Sequence, residues 1–311
     1  MLWRESRVLA YAALVAAVVG ISWSAIFVRW AAVPGLASAF YRVLIAACVL
    51  VPWRLARTTS APPPRREALL AAAGGAFFAL DLGLYNTAVI QTSAATATLL
   101  GNNAPVFVGL GTWLLFRRRP RAAFWIGLAL ALGGCVGIVA SDLIHDASSP
   151  TRVAGDALAL TASIFWAAYL LTTERVRLSM DTLTFNALAI GGSVATLLVI
   201  CVAAGVPLAG YPAQTWIWLL ALGLISQLCA YFCIVYALGH LPATVTSVGL
   251  LAQVPVTALL AIPLLGEALS GLQIAGGLLV LAGIYVVNRP ASLDRPPAVL
   301  EGAAASRRPR P

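Results

Sequence analysis

The sequence predicts an all-α integral membrane protein with ten transmembrane helices, arranged as two inverted five-helix repeats with the N and C termini cytoplasmic. Three observations predict this fold class: the composition, the distribution of arginine and an internal repeat. Of the 311 residues, 61% are hydrophobic and only 10% are charged, whereas about a quarter of a soluble domain is charged. Lipid must therefore be the solvent for most of the chain.

The apolar residues form ten continuous segments. A transmembrane helix needs roughly 20 apolar residues, whereas the strands of a β-barrel would give shorter, alternating patterns. Continuous segments therefore predict helices, which satisfy their own backbone hydrogen bonds in lipid. The segments are 8–30, 36–53, 68–90, 93–116, 122–141, 154–173, 182–206, 214–237, 241–265 and 270–288.

The basic residues, all of them arginine, predict the orientation. If the N terminus is placed in the cytoplasm, all but three of the 20 fall on the cytoplasmic side, the exceptions being Arg29, Arg42 and Arg152. This asymmetry is the positive-inside signal, so we expect a multi-pass protein of the cell inner membrane. Since topology accounts for the net charge of +9, we expect no nucleic-acid partner.

The two halves of the chain resemble each other at an offset of 150 residues. Residues 86–138 align with 236–288 without a gap, and Pro105 falls on Pro255. Because each half holds five segments, the halves insert in opposite orientations, a plan typical of secondary transporters with a substrate site between repeats. The predicted domains are residues 8–141 and 154–288, followed by a disordered cytoplasmic tail over 289–311.

Ionisable residues inside the apolar segments are functional candidates, because a charge in lipid is costly. Asp81 lies in the middle of the third segment with Tyr85 on the same face, and the offset relates Asp81 to Tyr231 in the eighth segment. Arg42 lies at a depth from which it could reach Asp81. Two roles for Asp81 stay open: a structural ion pair with Arg42, or binding of a substrate ammonium or a proton.

Two prolines predict interruptions in the fourth and ninth segments. Pro105 and Pro255 each remove a helical hydrogen bond, which should free the carbonyls of Gly101 and Leu251. Broken helices are tolerated in lipid where they line a cavity, so we expect a pocket walled by the third, fourth, eighth and ninth segments. The candidate substrate-binding residues are Trp23, Asp81, Tyr85, Asn102, Asn103, Trp166, Tyr169, Gln227, Tyr231 and Gln253.

Purely structural roles for these candidates stay open beside the functional ones. The amides could form hydrogen bonds between helices, and the tryptophans could be packing residues or interface anchors. The oligomeric state, monomer or homodimer, also stays open.

Two strings identify a family resemblance. GHLPATVTSVGLLAQVPVTALLAIPLLGE (239–267) and TSAATATLLGNNAPVFVGLGTWLLF (92–116) resemble the two signature segments of the EamA family in the drug/metabolite transporter (DMT) superfamily. The first repeat departs from the family at Arg117, where an acidic residue is common. The resemblance implies a ten-helix permease of the inner membrane that exports amino acids or similar small metabolites.

Other functions are weighed against this one. No G-x-x-x-x-G-K-[ST] phosphate loop occurs, so we expect a gradient to drive transport, with protons as a candidate coupling ion. Efflux of drugs or cations, or permeation of sugar metabolites, is the alternative on the same fold. A membrane-embedded enzyme is a distant one, because His145 and His240 both fall in loops. We expect no cofactor, no metal and no enzymatic activity.

Overall fold

The computed structural model describes residues 2–57, 63–91, 100–143, 150–265 and 271–288. Every regular element in these ranges is helical. The helices are α1 Leu2–Ser22, α2 Ser24–Ala31, α3 Gly35–Ala56, α4 Arg65–Gln91, α5 Ala104–Leu114, α6 Ala122–Leu143, α7 Pro150–Val176, α8 Thr182–Ala203, α9 Ala213–Ala221, the π-helix Leu222–Cys229, α10 Ala230–Leu238, α11 Ala243–Leu250, α12 Gln253–Leu265 and α13 Gly271–Asn288.

Six apolar helical stretches are long enough to cross a membrane. They are Arg7–Val28, Gly35–Ala56, Arg65–Ala88, Val153–Val176, Thr182–Ala203 and Ala213–Leu238. Shorter apolar helices cover Ala104–Leu114, Ala122–Gly137, Ala243–Thr257 and Ile274–Asn288. All these stretches coincide with the predicted apolar segments, so the helical, membrane-embedded class is confirmed. Ten crossings and the orientation of the termini stay predictions, and the predicted tail over 289–311 lies outside the described residues.

Four of the predicted apolar segments are interrupted in the structure. Two of these interruptions were not predicted and two were. The first segment breaks at Trp23, between α1 and α2, and the eighth contains the π-helix. The fourth and ninth segments are broken beside their prolines, at Asn102–Asn103 and at Leu251–Ala252, as the sequence predicted.

One detail of the ninth segment is a correction. The Leu251 carbonyl was expected to be freed by Pro255, but it accepts a hydrogen bond from the backbone N–H of Val254 at 3.1 Å. The adjacent backbone also forms hydrogen bonds between residues three apart, as in a 3₁₀ turn. One of them runs from the Leu251 N–H to the Val248 carbonyl at 3.1 Å. A 3₁₀ turn therefore provides the hydrogen-bond donor for the Leu251 carbonyl, which Pro255 cannot provide because it has no N–H.

Close contacts between small residues hold the bundle together. α4 packs against α7 and α8, whereas the π-helix and α10 pack against α1 and α3. α6 packs against α13, where Gly127 and Gly283 touch backbone to backbone. Small residues let membrane helices approach closely, and here they bring α3, α4, α7, α10 and the π-helix around one central region.

Candidate functional site

A buried arginine lies at the centre of the bundle. The Arg42 side chain on α3 is 7% exposed. Its Nε donates to Gln227 Oε1 at 2.9 Å, and its Nη1 donates to Ser24 Oγ at 3.3 Å. The guanidinium carbon also lies 5.6 Å from the ring centroid of Tyr231. A buried charge needs such partners, and these come from α2, the π-helix and α10.

The π-helix places Gln227 against Arg42. Its side chain is 3% exposed, and the neighbouring Ser226 Oγ donates to the Gly20 carbonyl at 2.8 Å. These two polar residues therefore face α3 and α1 rather than lipid. π-helical turns are rare and often occur at functional sites. This segment is therefore a candidate part of the functional site.

Asp81 lies on α4 in the same central region. Its side chain is half-buried, and Arg42 is close enough to attract it electrostatically. Within the described part of the chain, no arginine nitrogen lies within 4 Å of its carboxylate, and the carboxylate accepts no hydrogen bond. The structure thus brings Asp81 and Arg42 into one region without a direct ion pair.

An aromatic cluster adjoins the polar residues. Phe78, one turn before Asp81, lies 4.7 Å from the Tyr231 ring and 5.3 Å from the Tyr169 ring, measured between centroids. Trp166 stacks on Tyr169 at 5.3 Å and meets Tyr231 edge-on at 5.8 Å. Tyr231 therefore belongs to both groups and joins the Arg42 contacts to the aromatic surface.

A small cavity opens where the two broken helices meet. Gln253 Nε2, at the start of α12, donates to Asn102 Oδ1 at 3.4 Å. The cavity measures about 10 Å³ as the space open to the centre of a water molecule, which is room for about one water. Its walls are Gly101, Asn102, Ala104, Pro105, Trp166, Ser247, Leu250, Leu251 and Gln253.

The structure brings most predicted residues to this region, but not all of them. Tyr85 packs its ring against Gly101 beside the break in the fourth segment. Asn103 precedes α5 and donates to the Leu100 carbonyl at 3.2 Å. Trp23 instead stacks on Phe27 at 5.6 Å, in an aromatic group with Trp30 and Trp218. Among the predicted aromatic residues, Trp166 lines the small cavity.

Metal binding has no support in the described residues, where no three histidine, cysteine, aspartate or glutamate side chains form a group that could hold an ion. The polar and aromatic groups at the centre instead suit an organic ligand with charged and apolar parts.

The sequence model of the EamA-like transporter family matches residues 7–140 and 153–289. The chain belongs to this family. Similar curated proteins include the uncharacterized transporter YwfM of Bacillus subtilis (strain 168), 30% identical over 66% of this chain and 68% of that protein. An uncharacterized transporter of Archaeoglobus fulgidus is 28% identical over 80% of this chain and 86% of that protein.

The fold of this EamA-like transporter is also that of a solved crystal structure. The two superpose with a TM-score of 0.76 over 92% of this chain and 96% of the other, at 19% sequence identity. Together with the apolar helices, these likenesses make the chain a multi-pass membrane transporter, with a small-molecule substrate and a lipid bilayer as its surroundings.

Sequence reasoning missed three residues at the centre of this EamA-like transporter. Phe78 lies three residues before Asp81, a spacing that shares a helix face, so the pattern that pointed to Tyr85 also contained it. Ser24 gave no signal, because the break in the first segment was not predicted. Ser247 is a polar residue of the ninth apolar segment, but its spacing gave no signal of its own.

Proposed function

We propose that this EamA-like transporter exports amino acids or related small metabolites across the inner membrane by alternating access between inverted repeats. The observation that carries the proposal is the separation of Arg42 and Asp81. A guanidinium and a carboxyl group share a central region, where Arg42 donates to Gln227 and Ser24 rather than to Asp81, and an aromatic cluster lies beside them. A zwitterion with an apolar side chain complements all three features.

Arg42 is suited to the substrate carboxylate. A guanidinium carries five N–H donors, and Arg42 uses one toward Gln227 and one toward Ser24. These two bonds fix the plane of the guanidinium, and the remaining donors can serve a carboxylate in two parallel bonds. Gln227 and Ser24 are therefore positioning residues for Arg42.

Asp81 is suited to the substrate ammonium. Its carboxylate accepts no hydrogen bond from the described residues, so a ligand would not have to displace a protein donor. Protonation of the same carboxylate would couple transport to a proton gradient, which remains the second role proposed for Asp81.

Alternating access explains the small size of the central cavity. Room for about one water is too little for an amino acid, so the site must widen when it binds substrate. The breaks at Asn102–Asn103 and Leu251–Ala252 supply places where the half-helices can tilt, as in transporters built from discontinuous helices.

Efflux of an organic cation is the second candidate, and the aromatic cluster beside Asp81 favours it. Aromatic faces attract cations, and a carboxylate would add charge complementarity. Arg42 opposes this function, because a second cation would meet like charge within the same buried region. The zwitterion therefore fits the site better.

Counterflow in proteoliposomes tests the proposal. Purified full-length protein is assayed with glycine, L-alanine, L-leucine, L-phenylalanine, a sugar and a cationic drug, with protein-free vesicles as the control. We expect exchange of at least one amino acid and none of the sugar. Exchange of the drug alone would replace the proposal with cation efflux, and exchange of the sugar alone would replace it with a sugar-metabolite permease.

A further inference from the structure

A second and much larger cavity lies at the arginine-rich end of the bundle. It measures about 230 Å³ as the space open to the centre of a water molecule, which is smaller than the roughly 300–1,000 Å³ of a pocket for a drug-sized ligand, and it is partly open to its surroundings. Its walls are Phe116, Arg118, Glu174, Arg175 and Leu178. This end is the one that the distribution of arginine assigns to the cytoplasm.

The two cavities lie along the same helix, α7. α7 provides Trp166 to the central cavity and Glu174 to the outer one, and eight residues of helix separate them by about 12 Å. Between these levels, Leu171 packs so closely on Gly111 of α5 that a methyl group there would collide with it. The Leu171–Gly111 contact therefore lies at a level between the two cavities.

The outer cavity keeps hydrogen-bonding capacity for a ligand, although Arg118 lies near enough to attract Glu174 electrostatically. Glu174 Oε2 accepts from the Ala243 backbone N–H at 3.3 Å, at the first residue of α11, and a carboxylate has further acceptor sites. In the described ranges, neither Arg118 nor Arg175 donates a side-chain hydrogen bond. Arg54, by contrast, donates to Thr184 at 2.7 Å.

We propose that the outer cavity is a loading site for the transported zwitterion, which rests on the proposed function. The substrate carboxylate lies between Arg118 and Arg175, and its ammonium lies at Glu174. Phe116 and Leu178 supply the apolar walls for its side chain. From this site the substrate reaches the centre once Leu171 moves away from Gly111.

The membrane-topology signal alone does not account for this arrangement. The positive-inside rule places arginines on one side of the membrane, but it does not require a glutamate among them or a cavity between them. Two cations and one anion around a cavity are the complement of an oxyanion and an ammonium on one molecule. A phosphatidylethanolamine headgroup carries the same two groups, so the experiment must separate the soluble substrate from the lipid.

The test compares the double variant Arg118→Gln/Arg175→Gln with a control that removes the same charge. The control is Arg119→Gln/Arg121→Gln, in the same loop but outside the cavity; the Arg119 guanidinium lies 5.1 Å from the Trp113 ring. The KM of each oriented protein is measured on the cytoplasmic and the external face. The probe is whichever of the four tested amino acids the wild type exchanges fastest.

We expect the cytoplasmic KM of the Arg118→Gln/Arg175→Gln variant to rise by about tenfold or more, the loss expected when charge-assisted hydrogen bonds disappear. The external KM should stay unchanged, as should both KM values of the control. Glu174→Gln keeps an acceptor for the Ala243 N–H and removes only the charge, so its cytoplasmic KM should rise as well. It provides the test if the double variant does not fold.

Several results would overturn the loading site. An unchanged cytoplasmic KM would do so, as would an equal rise in the control. A rise seen only in vesicles that contain phosphatidylethanolamine would assign the cavity to a lipid headgroup instead. A wild type that exchanges no amino acid removes the proposed function and the loading site together, whereas normal exchange by every variant removes the loading site alone.

Discussion

Helix α4 and the helix that the 150-residue offset relates to it, Ala213–Leu238, build one site in two different ways. α4 is a regular α-helix that carries Phe78 and Asp81. Its counterpart, the π-bearing helix, consists of α9, the π-helix and α10, and carries Gln227 and Tyr231. The predicted repeat makes these two helices counterparts, and the acid comes from one of them and the partner of Arg42 from the other.

The neighbours of the two helices differ as well. α4 has glycine-mediated backbone contacts with α8, where a methyl group at Gly75 would collide with the Ala189 carbonyl. The π-bearing helix meets its neighbours mainly through side chains, including Gly223 against the Ile45 side chain and Gln227 against Arg42. The comparison teaches that backbone contacts at glycines dominate where α4 meets α8, whereas the π-bearing helix adds a buried polar contact with Arg42.

The largest effect should follow from a methyl group between α4 and α8. Gly192→Ala would place its Cβ against the backbone of Ala72, which cannot move as a flexible side chain could. We expect a loss of about 3 kcal/mol in the free energy of unfolding, measured as a lower melting temperature of the purified protein. Gly191→Ala is the matched control, because nothing lies within 4 Å of its Cβ position. Equal stability of the two variants would contradict shape-based packing of α4.

A smaller loss should follow from removing the polar contact of the π-bearing helix. Gln227→Leu leaves the buried Nε of Arg42 without its acceptor, at a cost of about 2 kcal/mol, and should slow substrate exchange. Gln227→Glu keeps an acceptor and should be more stable than Gln227→Leu in the same melting assay. Cys229→Ala, an exposed position of the same segment, controls for general effects. Wild-type stability of Gln227→Leu would show that the contact does not hold this helix.

The smallest effect concerns the start of α8, on which α4 packs. Asp181 caps this helix, since its Oδ1 accepts from the Thr184 backbone N–H at 3.0 Å. Burial alone would raise the pKa of Asp181, but hydrogen bonds from Thr184 and Leu183, with Arg54 nearby, lower the pKa below its ordinary 3.8. We expect Asp181→Ala to cost about 1 kcal/mol at neutral pH.

The pH dependence gives this prediction its sign. Because the folded pKa of Asp181 is lowered, its charge contributes stability above the ordinary value and loses it as the pH falls through the lowered one. The difference in melting temperature between wild type and Asp181→Ala should therefore shrink below about pH 4. A difference that grows on acidification would contradict the cap.

Much of the fold follows from the sequence, because composition and segment length act on each element alone. Continuous apolar segments predicted the helices, and Pro105 and Pro255 predicted where two of them break. The breaks could be predicted from the prolines because each proline removes one backbone hydrogen bond of its own helix, which is a local effect. The approach of Asp81 to Arg42 was predicted from depths in the membrane that lie within side-chain reach of each other.

The remaining features depend on contacts between distant parts of the chain. Nothing in LGLISQLC (222–229) distinguishes a π-helix from an α-helix, since the wider turn is set by contacts such as Gln227 with Arg42. Trp23 was expected at the pocket, but its ring stacks on Phe27 and the helix breaks there. Neither the break nor the role of Ser24 had a local signal.

The central claim is that Asp81 binds the transported substrate from one side of a shared site. Asp81→Asn is a clean test, because the carboxylate accepts no hydrogen bond from the described residues and the amide has nearly the same shape. Counterflow of the best wild-type amino acid is measured at two pH values for wild type, Asp81→Asn and the control Asp181→Asn, which keeps a good helix cap. We predict that Asp81→Asn folds but exchanges at least about tenfold more slowly at both pH values, while the control matches the wild type. Wild-type exchange by Asp81→Asn at both pH values would contradict the claim and leave Asp81 without a role in transport.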